Sequence, residues 1–461
     1  MHAGNSPQCF PAVILAVAAG LTPASRGSAA VLAVPEDYPF ISWAIADAVD
    51  GDEVVLAPGT YHEAIDFLGK AITLRSADPC DPEVVAATVL DALVFPYAIR
   101  CTSGEGAGTV LAGVTVTGSS LPDGGAMHNG DGSPTVAHCV FIANSSYGRG
   151  GAMYNGPGSS PTLIDCAFLA NEANQGGALY NDAGSNPIVI GCLFSSNTTT
   201  YTGGAVHTEG GSPSFVECEF VLNDAHYGGA LYSLPGGATT ISNCRFSFNS
   251  SFGGGAINAT GDALAIVGCG FTENFGAWGG GAIASTDADL QITRGFFAQN
   301  VALDGGALLE GGFARSTLLN CDFIDNVATS SGGAYSGIES SPTVMRCTFI
   351  RNVATAVTGG AVQTIFGDVT IDDSTFTGNR CGYAGGALAA GRAVVRGSTF
   401  TSNRARRFGG AVWILPGRFA ILADTTVCGN VPDPIAGAWQ DAGGTLVSDD
   451  CPPPGPDGTD P

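Results

Sequence analysis

A chain that returns to one pattern every 24 to 27 residues is constrained to fold as a stack of like units, and this one does so across residues 124–430. Each unit opens on Gly-Gly-Ala plus a hydrophobe and closes on Phe-x-x-Asn, as in GGAMYNGPGSSPTLIDCAFLAN at residues 150–171. The closing phenylalanine recurs from Phe141 to Phe400, and Val427 holds its last place. Every unit carries two or more glycines together with Thr, Ser and Asn, and often a proline. Such residues favour short strands and turns over helix.

Aligned on the phenylalanine, the units share an inward set. The position five before it is apolar throughout, from Val136 and Leu163 to Val395 and Leu422. The position two before it is Cys in eight units, from Cys139 to Cys347, then Ser374 and Ser398. Phe and this Cys fall on one face of a strand. The apolar position lies three residues before the Cys, and an odd step between inward residues requires a corner or a bulge. Several short strands meeting at corners make one rung of a coil, so the expected fold is all-β, a parallel β-helix of about twelve regular coils. At roughly 4.8 Å per rung such an array is about 55–60 Å long. The recurring Asn belongs at a turn, where its side chain can hydrogen-bond along the column. The Gly-Gly pair suits a corner that needs positive φ.

Gly-Gly-Ala-hydrophobe with Phe-x-x-Asn resembles the repeats of polymorphic outer-membrane proteins and related right-handed, pectin-lyase-like β-helix proteins. The resemblance covers residues 124–430. It implies a right-handed coil and an N-terminal cap in which a helix plugs the open end. The stretch VPEDYPFISWAIADAVDGDEVVLAPGTYHE fits that cap: Phe40 or Ile41, Ala44 or Ile45, and Ala48 share a helical face, and Gly51-Asp52 ends the helix. The expected organisation is an export signal at residues 1–30, a cap and first coils at 31–96, repeats at 97–431, and a closing segment with a polar tail at 432–461. Polymorphic outer-membrane proteins continue into a membrane β-barrel, and no such pattern follows residue 430, so self-anchoring is not expected. A secreted, cell-surface or periplasmic location and a monomeric rod are expected.

Composition narrows the partners. The net charge of −24, with Lys70 the one lysine, argues against nucleic acid, which needs a basic stripe. No stretch is apolar for long enough to span a bilayer as a helix. Ca²⁺ would suit the acidity, but no calcium-loop motif stands out, so no cofactor is expected. Fourteen cysteines in an exported chain point to disulfides. Stacked cysteines on in-register strands sit too far apart for one, so the columnar eight are expected as buried thiols rather than disulfides or zinc ligands. The expected disulfides are Cys80–Cys101 and Cys428–Cys451, near the two ends, with Cys381 left free.

No catalytic set emerges. Gly59-Thr60-Tyr61-His62-Glu63 resembles a pectin methylesterase stretch, but the later catalytic Asp and Gln motifs of that family are missing. The pectate lyase and polygalacturonase motifs are absent, and Asp372-Asp373 reads as a solvated pair. More suggestive is a stripe two residues after the Ala of Gly-Gly-Ala: His128, Tyr154, Tyr180, His207 and Tyr232. Alternation points it outward, either as ladder stacking or as a sugar-binding surface. Three functions follow: a non-catalytic binding or adhesion module for a glycan or a surface protein, a polysaccharide lyase or hydrolase with an unrecognised site, or a passive spacer.

Overall fold

The corners fall where the odd step requires them. In the computed structural model, which describes residues 29–451 apart from positions 94, 96, 122, 123 and 262, the residue three before each phenylalanine is left-handed. Asp165 has φ 49°, Glu217 55° and Asn320 53°, and Gly191 and Gly268 take the same place in other coils. A second left-handed residue follows two after the phenylalanine, as at Ala170 and Ser196. The third is the first glycine of Gly-Gly-Ala, for example Gly176 at φ 62°. Its neighbour Gly177 is required for a different reason: a Cβ there would lie 2.1 Å from the carbonyl oxygen of Gly204 on the next coil. Left-handed backbone costs a non-glycine residue about 1–2 kcal/mol, so repeating it in every coil means the contacts it permits more than offset it.

Between the corners run four short strands per coil. One full turn comprises Leu179–Asn181, Ile188–Ile190, Leu193–Ser195 and Thr198–Thr202. Every strand pairs in parallel with the same strand of the coils before and after, so that Phe168 faces Phe194 and Phe194 faces Phe220. The phenylalanine strands form a 16-stranded ladder and the strands after the asparagine a 12-stranded outer one. The remaining two ladders merge where Val362–Asp372 and Leu388–Arg396 run unbroken across the stretch that is a loop in other coils. The result is a right-handed parallel β-solenoid of about 15 turns, of which the regular repeat supplies most. Beyond Asn430 the pairing continues for one more turn, with Trp439 beside Ala420 and Val447 beside Val427.

The interior is a set of columns. The phenylalanine rings from Phe141 to Phe400 stack at centroid spacings of 4.6–5.1 Å and interplanar angles of 1–8°. Beside them runs an asparagine ladder. Asn249 Nδ2 donates to Phe220 O of the preceding coil at 3.0 Å and to Asn274 Oδ1 of the following coil at 3.0 Å. Its own Oδ1 accepts from the backbone N–H and Nδ2 of Asn223 at 3.1 and 3.0 Å. The cysteine column has a hydrogen-bonding role as well. Cys166 Sγ lies 3.3 Å from the corner carbonyl of Ile164, and Ser374 Oγ donates to Asp372 O at 2.8 Å in the same way. All eight columnar cysteines and Cys381 are free, buried thiols.

A helix of seven residues, α1 (Ile41–Asp47), closes the N-terminal end with Ile41, Ala44 and Ile45 buried. Both of its termini are held by side chains from the coil beneath. Glu63 accepts from Ile41 N and Ser42 N at 2.9 and 3.0 Å, and Lys70 Nζ donates to Ile45, Ala46 and Ala48 carbonyls at 2.7–2.8 Å. A carboxylate at the start and an ammonium at the end both complement the helix dipole. Cys428 and Cys451 are disulfide-bonded. The expected Cys80–Cys101 bond is not made: Cys101 is a free thiol pointing into the core, whereas Cys80 is exposed on a turn and disulfide-bonded elsewhere. The two side chains lie on opposite faces of the wall. The expected signal at residues 1–30 lies almost wholly outside the described residues, as does the tail from residue 452 onward.

Asn249→Ala removes four hydrogen bonds from a buried site and strands donors and acceptors on the two neighbouring coils. A loss of about 3 kcal/mol or more is expected in chemical denaturation, against under about 0.5 kcal/mol for exposed Asn186→Ala. Lys70→Met is expected to cost about 1–2 kcal/mol, because three helix-end carbonyls lose their donor.

Candidate functional site

The stripe singled out in the sequence is a stack of rings. His128, Tyr154, Tyr180, His207 and Tyr232 follow one another at centroid spacings of 4.8–5.8 Å and interplanar angles of 3–20°, with Tyr97 against His128 at 4.8 Å. Stacked face to face along the coil axis, the rings cover one another. Tyr180 and His207 are buried outright, and the other three are half-buried. The stripe is therefore outward of the strand but not a flat open platform.

Charged side chains from neighbouring coils close over it. The Arg149 guanidinium lies 4.8 Å above the Tyr180 ring and 3.5 Å from Asp182. Tyr154 donates to Asp182 Oδ2 at 2.7 Å, and Tyr180 donates to Glu209. Burial, reinforced by Asp182, pushes the Tyr154 phenol up to about 12, and burial with the Glu209 bond moves Tyr180 further the same way. Burial, helped by the Arg149 charge, pushes His207 down to about 3. Its Nδ1 is 2.9 Å from Thr202 Oγ1, while its buried Nε2 has no hydrogen-bond partner. Both phenols and the imidazole are neutral at neutral pH and engaged with their neighbours.

The remaining sequence candidates are not brought together. Asp373 occupies a left-handed corner, and Asp372 pairs with Arg396 of the next coil at 3.4 Å. Glu63 of the Gly-Thr-Tyr-His-Glu stretch caps α1, and Tyr61 donates to Ala57 O at 2.7 Å, so that stretch holds the cap in place. Inside the coil, Glu310 is buried beside Tyr335, which bonds it and Ser340, and burial raises its carboxyl. Among the described residues, no three His, Cys, Asp or Glu side chains gather as a metal site, and no helix is long and apolar enough to cross a membrane.

One column of rings is open to solvent, and sequence reasoning missed it. Two residues before Gly-Gly stand Tyr201, His226, Phe252 and Trp278 in four consecutive coils. Phe252 stacks between His226 at 5.1 Å and Trp278 at 5.2 Å. Tyr201 is 61% exposed and Trp278 65%. Tyr227 packs edge-on against His226, and Phe275 is exposed on the Trp278 coil. Leu303, Val357 and Tyr383 continue the same position further along, each more than a third exposed. The signal was present as a register, but the register counts backward from the glycines instead of forward.

Parallel in-register ladders, three corners per coil and the asparagine column together define the fold. The chain is a right-handed parallel β-helix protein. A right handed beta helix region model matches it over residues 228–426, and the Chlamydia polymorphic membrane protein repeat matches residues 191–209. No curated protein matches it. Among solved structures, this β-helix is similar to a mannuronic acid specific polysaccharide family 6 lyase from human gut microbiota, at 12% identity and a TM-score of 0.34. That similarity spans 90% of this chain and 83% of the other. It is also similar to the A-module of a mannuronan C-5 epimerase from Azotobacter vinelandii, at 13% identity and a TM-score of 0.26, over 89% and 93% of the two chains. Similarity this low says nothing about ligand or reaction.

The depressed imidazole makes the β-helix acid-sensitive in a defined window. The unfolded chain binds a proton at His207 below about pH 6.5 that the native chain refuses until about 3. The stability at stake is fully present above 6.5 and falls by about 1.4 kcal/mol per pH unit as the pH drops toward 3. His207→Phe keeps a ring in the stack. Between pH 6 and pH 4 wild type is expected to lose about 2–3 kcal/mol more than this variant in urea denaturation, and equal losses would show that His207 titrates normally.

Proposed function

We propose that this β-helix is a surface or extracellular recognition module without catalytic activity, and that it holds carbohydrate through the open ring column Tyr201–His226–Phe252–Trp278. The observation that carries this reading is the exposure of Tyr201 and Trp278 on a rigid ladder. Ladder stacking explains why rings repeat in register, but it gives no reason to leave two of the largest in water. The covered stack one strand over, His128 to Tyr232, with Tyr180 and His207 buried, already serves the structural purpose. Trp278 ends the ring stack, with Leu303 next along the column, and its 65% exposure offers apolar surface to the apolar face of a sugar. Polar groups beside the column, among them Asp224 and Thr200, would fix orientation. A location outside the cell agrees with the acidic, lysine-poor surface and with the polymorphic-membrane-protein repeat.

The test is co-sedimentation of the purified chain with a panel of insoluble and acidic polysaccharides, with and without Ca²⁺, while the supernatants are assayed for new reducing ends and unsaturated products. Retention without new ends is expected. Tyr201→Ala combined with Trp278→Ala is expected to weaken retention at least tenfold, about 1.4 kcal/mol, with an unchanged unfolding midpoint. Release of new ends would replace this reading with an enzymatic one, and retention untouched by the double substitution would move the site elsewhere.

A further inference from the structure

The chain carries 41 acidic against 17 basic residues, and among the described residues Arg75, Arg149, Arg351, Arg392 and Arg396 are ion-paired. Three on the C-terminal coils take a carboxylate from the coil before: Arg351 from Asp325 at 2.7 Å, Arg392 from Asp368 at 3.6 Å and Arg396 from Asp372 at 3.4 Å. Arg380, Arg404 and Arg406 do not. Arg380 and Arg404 each follow an asparagine of the ladder and sit opposite one another in register on adjacent outer strands. No carboxylate of the described residues lies within ion-pair distance of any of the three.

Like charges directly opposite one another on a ladder destabilise it. The same column position is filled by Val327 and Val353 on the coils before, so the fold does not need a cation there. The three arginines instead line a surface cavity of about 370 Å³, with Cys381 and Ala405 as its floor and Val431 on the C-terminal side. The floor is uncharged, because burial pushes the Cys381 thiol up to about 11. Arg407, next in the chain, is turned away, with its guanidinium 5.8 Å from the Tyr383 ring. The cavity is thus cationic on its rim, small and apolar at its base, and lacks a counter-charge.

We propose that this cavity binds a tetrahedral oxyanion of the sulfate or phosphate class, held between the guanidinium groups of Arg380, Arg404 and Arg406. Planar guanidinium forks donate in pairs to the oxygens of such groups, and a dianion answers a cluster of three cations where one carboxylate would leave two unmatched. The in-register strands set Arg380 and Arg404 about 4.8 Å apart at the backbone, so the site is pre-arranged by the ladder. The site is separate from the ring column and does not rest on the carbohydrate reading.

Isothermal titration of the full chain with inorganic sulfate, inorganic phosphate and acetate at matched ionic strength tests it. Sulfate or phosphate is expected to bind at least tenfold more tightly than acetate. Arg380→Gln with Arg404→Gln is expected to abolish that preference, and Arg346→Gln, outside the cavity, to leave it intact. Glucose 6-sulfate and glucose 6-phosphate then distinguish the two ester sources. Because the arginines are exposed, the double variant should fold, and it should lose the saturable rise of the unfolding midpoint at low sulfate or phosphate while keeping the general salt stabilisation that both proteins share. Binding no tighter than acetate, or a preference that survives the double substitution, would overturn the proposal.

Discussion

The asparagine ladder is the interaction on which this architecture depends. A β-helix coil must turn sharply without leaving backbone groups unpaired inside its wall, and a turn made of main chain alone cannot do so. Each asparagine of the ladder presents one carbonyl, which accepts twice from the asparagine of the coil before, and one amide, which donates to both sides. The amide reaches back to the phenylalanine carbonyl of the coil before and forward to the next asparagine, as at Asn171, whose Nδ2 is 3.0 Å from both Phe141 O and Asn197 Oδ1. Three coils are thereby tied at one residue. Because every bond in the column polarises the next, and none is exposed to water, the ladder holds the register that all other columns inherit.

Given that register, the remaining columns follow. The phenylalanine rings can stack within 8° of parallel only because their strands are in step, and the cysteine thiols can reach the corner carbonyls only because the left-handed residue before each one turns the chain there. That Ser374, Ser398 and Thr425 bond the same corner carbonyl as the thiols explains why these residues alternate at one position. The position favours a small side chain with a donor, with Gly295 filling it in one coil, and the columnar cysteines are free thiols.

The ends follow different rules from the middle. A terminal coil exposes strand edges and a cross-section of the core, and the chain covers them with unique sequence. At the N-terminal end its one lysine and the Glu63 carboxylate fasten a seven-residue helix too short to be stable alone. At the C-terminal end one more irregular turn is fastened by Cys428–Cys451. The two features proposed as sites are likewise breaks in the repeat: exposed rings at Tyr201, His226 and Trp278, and the arginines gathered round the Cys381–Ala405 cavity.

The period, the inward columns, the corner implied by the odd step between Cys and the apolar position, and a helical cap with an inward face through Phe40 or Ile41, Ala44 or Ile45, and Ala48 were all legible in the sequence. Repetition makes them so, since a residue type kept in one register through a dozen units reports its surroundings a dozen times. Exposure was not legible. Alternation says only which side of its own strand a side chain leaves, so it placed the His128–Tyr232 rings outward. Whether that side meets water depends on what folds over it, here Arg149, Asp182 and Glu209 arriving from coils before and after. The same limit hid the pairing of Cys80, because two cysteines 21 residues apart along the chain project to opposite faces of a wall one strand thick. In a repeat of this kind the sequence determines what is stacked upon what; the tertiary structure decides which stacks face water, because side chains reach across coils in ways that no single period records.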